Sequence, residues 1–242
     1  MAQCMACVHT EGRYDIQSLV PSHQTVTQKL KDHPDSISKK IWGEKTITWK
    51  LETDTPTIAG RDIETEIFKR IFTQIGIYIP NRIILLNKST ADADIRINFS
   101  KTDPSWKDHP GWMAFAFGPQ TGIGGDITFN ALNYIWTPDG APIRADKAYD
   151  LGWIPGFQKP DQMIKTWKAP HTGLHEAEHA MGLNHIEEFQ CPGAVLNPYY
   201  NGELLLKQCE INILQKFYGK TNLAPEQITE MQKRFTAPYE TI

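Results

Sequence analysis

His175, Glu176, His179 and His185 are the residues of this chain whose types and spacing promise chemistry. They stand in the string His175-Glu176-Ala177-Glu178-His179-Ala180-Met181-Gly182-Leu183-Asn184-His185, an H-E-x-x-H-x-x-G-x-x-H pattern. On a helix, His175 and His179 project from one face about a turn apart. Gly182 can take a positive φ, which ends the helix and turns the chain back. That turn lets His185 supply a third nitrogen from outside the helix. Three neutral imidazoles leave one tetrahedral corner of a zinc ion to water, the open geometry of a catalytic rather than a structural site. Glu176, beside a ligand but not itself one, is placed to take a proton from that water. The plainer readings are histidines that merely sit on a surface or in a core, and a zinc site that has lost its chemistry. The added glycine and third histidine weigh against the first, and Glu176 against the second.

Such a site needs a scaffold, and the sequence supplies the elements. Thr46 to Glu52 alternates, with Ile47, Trp49 and Leu51 on one face, and predicts a half-buried strand. After a turn punctuated by Pro56 and Gly60, Asp62 is expected as the N-cap of a helix. Its stripe is Ile63, Ile67, Ile71 and Ile75 with Phe68 and Phe72, and it ends at Gly76. Short strands follow at Ile83 to Leu86, Asp94 to Phe99, Met113 to Phe117 and from Ile127. A glycine turn at Gly122 to Gly125 precedes the last; it lacks the Lys-Ser/Thr of a phosphate loop. Asp103 to Gly111 reads as a loop. Residues 137–170 show no sustained periodicity and read as a long insertion just before the zinc helix, with Pro170 near that helix's first turn. The final helix is expected from Glu203 to Tyr218, with Gly219 as its stop.

The whole chain fits one good-sized core plus arms: 242 residues, 22% charged and 40% hydrophobic. A net charge of −3 and a pI near 6.2 argue against a nucleic-acid binder, and no apolar run approaches a membrane span. Residues 1–39 are polar and read as an arm or short pro-like segment, with Cys4 and Cys7 in a frayed terminus. No secretion signal is visible at Met1 to Tyr14, so an intracellular, precursor-derived or non-classically exported protein is expected. Residues 40–220 form the main domain. Residues 221–242 read as a polar tail of one or two helical turns. Cys191 and Cys209 could bridge if oxidised, which spacing alone does not decide.

Taken together, the zinc string, Ala93-Asp94-Ile95-Arg96-Ile97-Asn98-Phe99, Gly122-Ile123-Gly124-Gly125-Asp126, and Leu206 through Gly219 resemble the metzincin clan, and within it the matrixins, the catalytic domains of matrix metalloproteinases. Ala194-Val195-Leu196-Asn197-Pro198-Tyr199-Tyr200 is similar to the family's Met-turn and pocket wall, with Leu196 standing where methionine is expected. An apolar residue of similar volume should be tolerated there. The resemblance implies an α+β fold: a twisted, mostly parallel five-stranded sheet with an antiparallel edge strand, an N-terminal helix, a zinc-site helix and a C-terminal helix. It implies one catalytic zinc on His175, His179 and His185. The family's structural zinc is not expected, because Phe115 and Thr128 occupy two ligand places and only His109 and Asp103 remain nearby. A calcium ion is a candidate at Asp94, Gly122, Gly124 and Asp126.

The resulting expectation is a zinc endopeptidase acting on protein or peptide substrates, with Glu176 assisting a zinc-bound water. Substrate would add along the Met113 to Phe117 edge strand. Its pocket would be bounded by Met113, Ala114, Phe115, Leu174, Pro198, Tyr199 and Tyr200 and would favour an apolar side chain. Glu178 is expected as a solvated surface acid and His171 as a residue of the cleft rim. The rival is a non-catalytic binding or assembly protein in which the zinc helix only stabilises the domain.

Overall fold

The computed structural model describes residues 4–8, 41–43, 46–52, 61–86, 93–119 and 123–239. Most of the N-terminal arm, the Pro56–Gly60 turn and Gly122 lie outside them. Five strands make the sheet that the sequence predicts. They are β2 (Ile47–Glu52), β3 (Ile83–Leu85), β4 (Ile95–Ser100), β5 (Trp112–Phe117) and β6 (Ile127–Asn130). β2 runs parallel to β3 and β4, β4 parallel to β6, and β5 antiparallel to β6. Ile47, Trp49 and Leu51 are all buried, as their alternation requires.

The sheet does not end at β5. A sixth strand, β1 (Cys4–Val8), pairs antiparallel with it, in the order β1-β5-β6-β4-β2-β3. The register runs from Cys4 opposite Phe117 to Val8 opposite Trp112, shifting between Cys7 and Val8. The expectation of a frayed terminus at Cys4 and Cys7, and of β5 as the free edge, is therefore corrected. An unpaired edge offers a row of open backbone donors and acceptors, and here the chain's own segment takes them.

Helix α1 (Arg61–Gly76) lies across the sheet through the predicted stripe. Ile67, Phe68, Ile71, Phe72 and Ile75 are buried against Trp49, Phe99 and Phe129. Phe99 stacks on Phe129 at 4.4 Å, and Phe68 meets Phe129 edge-on at 5.8 Å. Each such side chain contributes about 1.5–3 kcal/mol by leaving water. Asp62 falls inside the helix, which begins one residue earlier, so it is not the N-cap. A one-turn helix, α2 (Ser105–Asp108), interrupts the expected loop; its Trp106 is buried and donates Nε1–H to Ser100 C=O at 2.9 Å.

The insertion is better tied down than its irregular sequence suggests. β7 (Trp136–Thr137) and β10 (Trp167–Lys168) pair in parallel at its root, and Thr137 and Thr166 hydroxyls bond at 2.9 Å. Between them lie β8 (Ile143–Arg144), paired with β9 (Met163–Ile164), and the short helix α3 (Ala145–Asp150). The zinc helix α4 (Ala169–Ala180) comes next in the chain and is buried along its whole length. Gly173 lets α1 pack closely on it: a Cβ there would stand 2.7 Å from Ile71 Cδ1.

Two C-terminal expectations are corrected. The helix α5 spans Gln208–Tyr218 and does not start at Glu203. Gln74 of α1 holds the preceding segment extended, donating Nε2–H to Leu204 C=O and accepting from Leu206 N–H. Glu210 Oε2 then accepts Lys207 N–H at 2.7 Å, which starts the helix there. The tail is no loose turn either. Helix α6 (Pro225–Phe235) buries Phe235 and packs Ile228 and Met231 on the core. Beyond its end, Arg70 fastens the chain, donating to Ala237 C=O at 2.6 Å beneath the Tyr239 ring.

Candidate metal centre and cleft

His175 and His179 leave one face of α4, and the helix ends where Gly182 takes φ +94°. Gly182 N–H returns to His179 C=O and Leu183 N–H to Glu178 C=O. This turn brings His185 back beside the other two. His175 Nε2 lies 3.1 Å from His179 Nε2 and 3.2 Å from His185 Nε2. Two nitrogens bound tetrahedrally at about 2.0–2.1 Å would be roughly 3.3 Å apart, so the spacing fits a zinc ion. Among the described residues this trio is the group able to hold a metal.

The rings are set for that role by the backbone behind them. His175 Nδ1–H donates to Val195 C=O and His179 Nδ1–H to Leu183 C=O, each at 2.7 Å. Each bond fixes the tautomer and turns the Nε2 lone pair to the metal position. Burial, reinforced by the neighbouring imidazoles, holds His175 and His179 well below the ordinary histidine pKa. Burial alone brings His185 down to about 4. All three are thus neutral ligands near neutral pH. Glu176 is buried beside them on α4.

The segment that supplies the Val195 carbonyl is braced by its neighbours. Leu196 is fully buried; its N–H donates to Glu210 Oε1 at 2.8 Å, and its C=O accepts Ile186 N–H at 2.9 Å. A disulfide joins Cys191 in this segment to Cys209 of α5, Cα to Cα 6.1 Å. Glu178, expected in solvent, is completely buried against α5. Burial first, then the charge of Glu210, push its carboxyl well above the ordinary range, which favours the protonated form. Trp42 closes the end of α4, donating Nε1–H to Ala180 C=O at 2.9 Å. Tyr218 donates its hydroxyl proton to Met181 C=O at 2.7 Å.

The predicted pocket residues separate into groups. Tyr200 meets the zinc helix directly, its ring edge-on to His171 at 4.5 Å. Pro198 is half-buried beside it and Tyr199 is exposed. Met113 and Ala114 are buried in the core. Leu174 faces a small cavity behind α4, with Pro170, Leu204 and Phe235. Phe115 turns into a separate cluster on Trp106, 5.4 Å away, and is paired across the sheet with Thr128. His171, expected on the rim, is wholly buried. Val195, Leu183 and Lys168 are not distinguished by their types; only the aromatic-basic pair Trp167-Lys168 directly before the helix offers a signal.

At the other metal positions the described side chains have partners within the protein. Asp94 Oδ2 accepts from the N–H and hydroxyl of Thr48, at 2.9 and 2.8 Å. Arg96 grips Asp126 with Nε and Nη2, at 3.0 and 2.6 Å, where calcium would need that carboxylate. Gly124 is buried in the turn between them. His109 stacks on Trp112 at 3.9 Å, and Asp103 Oδ1 accepts Ser105 N–H.

Residues 41–219 match the family model described as matrixin, of the M10 peptidases. The chain is similar to the interstitial collagenase of Oryctolagus cuniculus, 27% identical over 184 residues, which is 74% of this chain and 33% of that protein. It is similar to the matrilysin of Rattus norvegicus, 29% identical over 189 residues, 75% of this chain and 60% of that one. It is likewise similar to the neutrophil collagenase of Homo sapiens, 29% identical over 186 residues, 74% and 33%. The chain spans about a third of the length of the collagenases it matches.

Proposed function

The chain belongs to the matrixin family of metalloproteases, and from that premise we propose that it is a zinc-dependent endopeptidase in which Glu176 moves the proton. The observation that carries this reading is the convergence of three imidazoles, His175 Nε2 lying 3.1 Å from that of His179 and 3.2 Å from that of His185, with Glu176 next to a ligand. His175, His179 and His185 would hold the ion. Zinc, when bound, supplies Lewis acidity that polarises a carbonyl and makes water a better nucleophile near neutral pH. Glu176 accepts the proton of the attacking water and returns it to the departing amine. Val195 and Leu183 carbonyls keep the ligand rings oriented through this exchange.

Protein or peptide substrate would add as an antiparallel strand at β5. β1 already lies there in that sense and also packs on α4, which supports the edge as a strand acceptor. A substrate must displace it. The Cys191–Cys209 disulfide supports folding in an oxidising compartment.

The test is zinc content together with cleavage of a quenched peptide library by wild type and Glu176→Gln. We expect one zinc in both and cleavage by the wild type alone. Zinc in both with no cleavage by either would replace the peptidase by the binding-protein reading.

A further inference from the structure

Where the insertion meets the zinc helix, two polar groups face the Tyr200 wall without partners. Lys168 is half-buried as the residue before α4, and its backbone N–H donates to the Tyr200 hydroxyl at 3.3 Å. Its ammonium makes no ion pair or hydrogen bond among the described residues. The Glu203 carboxylate pairs with Lys207 at 2.9 Å. A Cβ built on Gly202 would stand 3.9 Å from Lys168 Nζ and 3.9 and 4.0 Å from Cε1 and the hydroxyl of Tyr200. Gly202 thus lies close to both the ammonium and the rim of the Tyr200 ring.

The Tyr200 ring also meets His171, edge-on at 4.5 Å, and the Lys168 charge is felt at that imidazole. Its Nδ1–H donates to Glu203 C=O at 2.8 Å, which leaves Nε2 as a lone-pair acceptor. That atom is buried and has no partner. Burial, with some help from the Lys168 charge, lowers His171 to about 4, so the ring stays neutral. Buried polar atoms are nearly always paired, and an exception calls for an explanation.

We propose that Lys168, His171 and Tyr200 form a side-chain pocket selecting a primary amide, so that a glutamine or asparagine of the substrate enters it beside the cleaved bond. The inference rests on the peptidase reading of the metal centre. An amide carbonyl accepts from Lys168 Nζ while its N–H donates to His171 Nε2. A carboxylate satisfies the lysine but sets lone pair against lone pair at the histidine. A thioether or alkyl tip satisfies neither, and a cationic tip is repelled by the ammonium. Tyr200, partly exposed, covers the histidine, lines the aliphatic stem and is the group that entry displaces.

Two peptide series of matched shape decide the matter, read as kcat/KM on the zinc-loaded enzyme. One places Gln, Met or Glu directly after the cleaved bond, the other Asn, Leu or Asp. The amide should lead its isosteres by tenfold or more in at least one series, and Lys168→Met should abolish that lead. His171→Phe, which keeps a ring against Tyr200, should do the same; if it does not fold, wild type and Lys168→Met suffice. An apolar or acidic residue leading both series overturns the inference, as does an amide preference that survives in folded Lys168→Met. A zinc-loaded wild type inert to every peptide overturns the peptidase reading, and this inference with it.

Discussion

At the scale of single residues, the two histidines of the helix are held through atoms other than the ones that face the candidate metal position. The Nδ1–H bonds to Val195 and Leu183 carbonyls decide which lone pair is offered, so the ligand set arrives oriented and neutral. Glu176 has a different part in the proposed chemistry, moving the proton. Glu176→Gln should keep zinc and lose roughly 10²–10⁴-fold in peptide cleavage, the usual share of a positioned acid–base group. Metal analysis beside a turnover assay checks it, and a variant that cuts as fast as wild type would remove Glu176 from the mechanism. Glu178, two positions on, shows how far one residue type can diverge in role. It is buried against another carboxyl, and burial raises its pKa well above the ordinary range. Its helical position alone suggests a solvent face, because nothing local announces that α5 folds over it.

Elements set these residues in place, and two contacts do so most plainly. Tyr218 of α5 bonds Met181 C=O and receives the Trp42 N–H at 3.3 Å, locking the end of the zinc helix. Tyr218→Phe leaves buried backbone groups unpaired and should cost about 1–3 kcal/mol. Burial raises this phenol well above its ordinary value. A raised folded pKa means the stabilisation is full below the unfolded value, about pH 10, and is lost as pH climbs through the folded one. Wild type should therefore lose stability above about pH 10, and Tyr218→Phe should lack that component of the slope; urea midpoints across that range measure it. The second contact is β1 on β5. If substrate adds at the same edge, deleting residues 1–8 should raise kcat/KM severalfold, chiefly through KM. An unchanged value would show that the strand and the substrate do not compete.

For the molecule as a whole, the long connections are fastened at few points. The loop after His185 is held by Cys191–Cys209, 18 residues apart in sequence. Closing a loop of that length contributes about 3 kcal/mol by restricting the unfolded chain. Reduction, or replacing both cysteines by serine, should lower the denaturant midpoint by a corresponding amount. A midpoint indifferent to reductant would show the bridge to be absent in solution. The same loop carries the Val195 carbonyl, so reduction should also weaken zinc retention, which chelator competition reads. Arg70, α6 and Tyr239 play the matching part behind α1, where the tail completes the core.

Strands with clean alternation, the isoleucine and phenylalanine stripe of α1, and the histidine string with its glycine were legible from the chain alone. Their signals are local: side chains two, three or four residues apart meet one face because backbone geometry forces them to. The three ligands are close enough in sequence for one helix and one turn to assemble them. What tertiary structure alone decided involves partners distant in the chain. β1 finds β5 more than a hundred residues away, Gln74 delays α5, and Arg96 takes the carboxylate of Asp126. The same holds for His171 and Lys168, whose surroundings are set when the segment around Tyr200 folds back on the zinc helix. Periodicity reports which face is apolar; which element covers it depends on packing among segments that the local pattern does not encode.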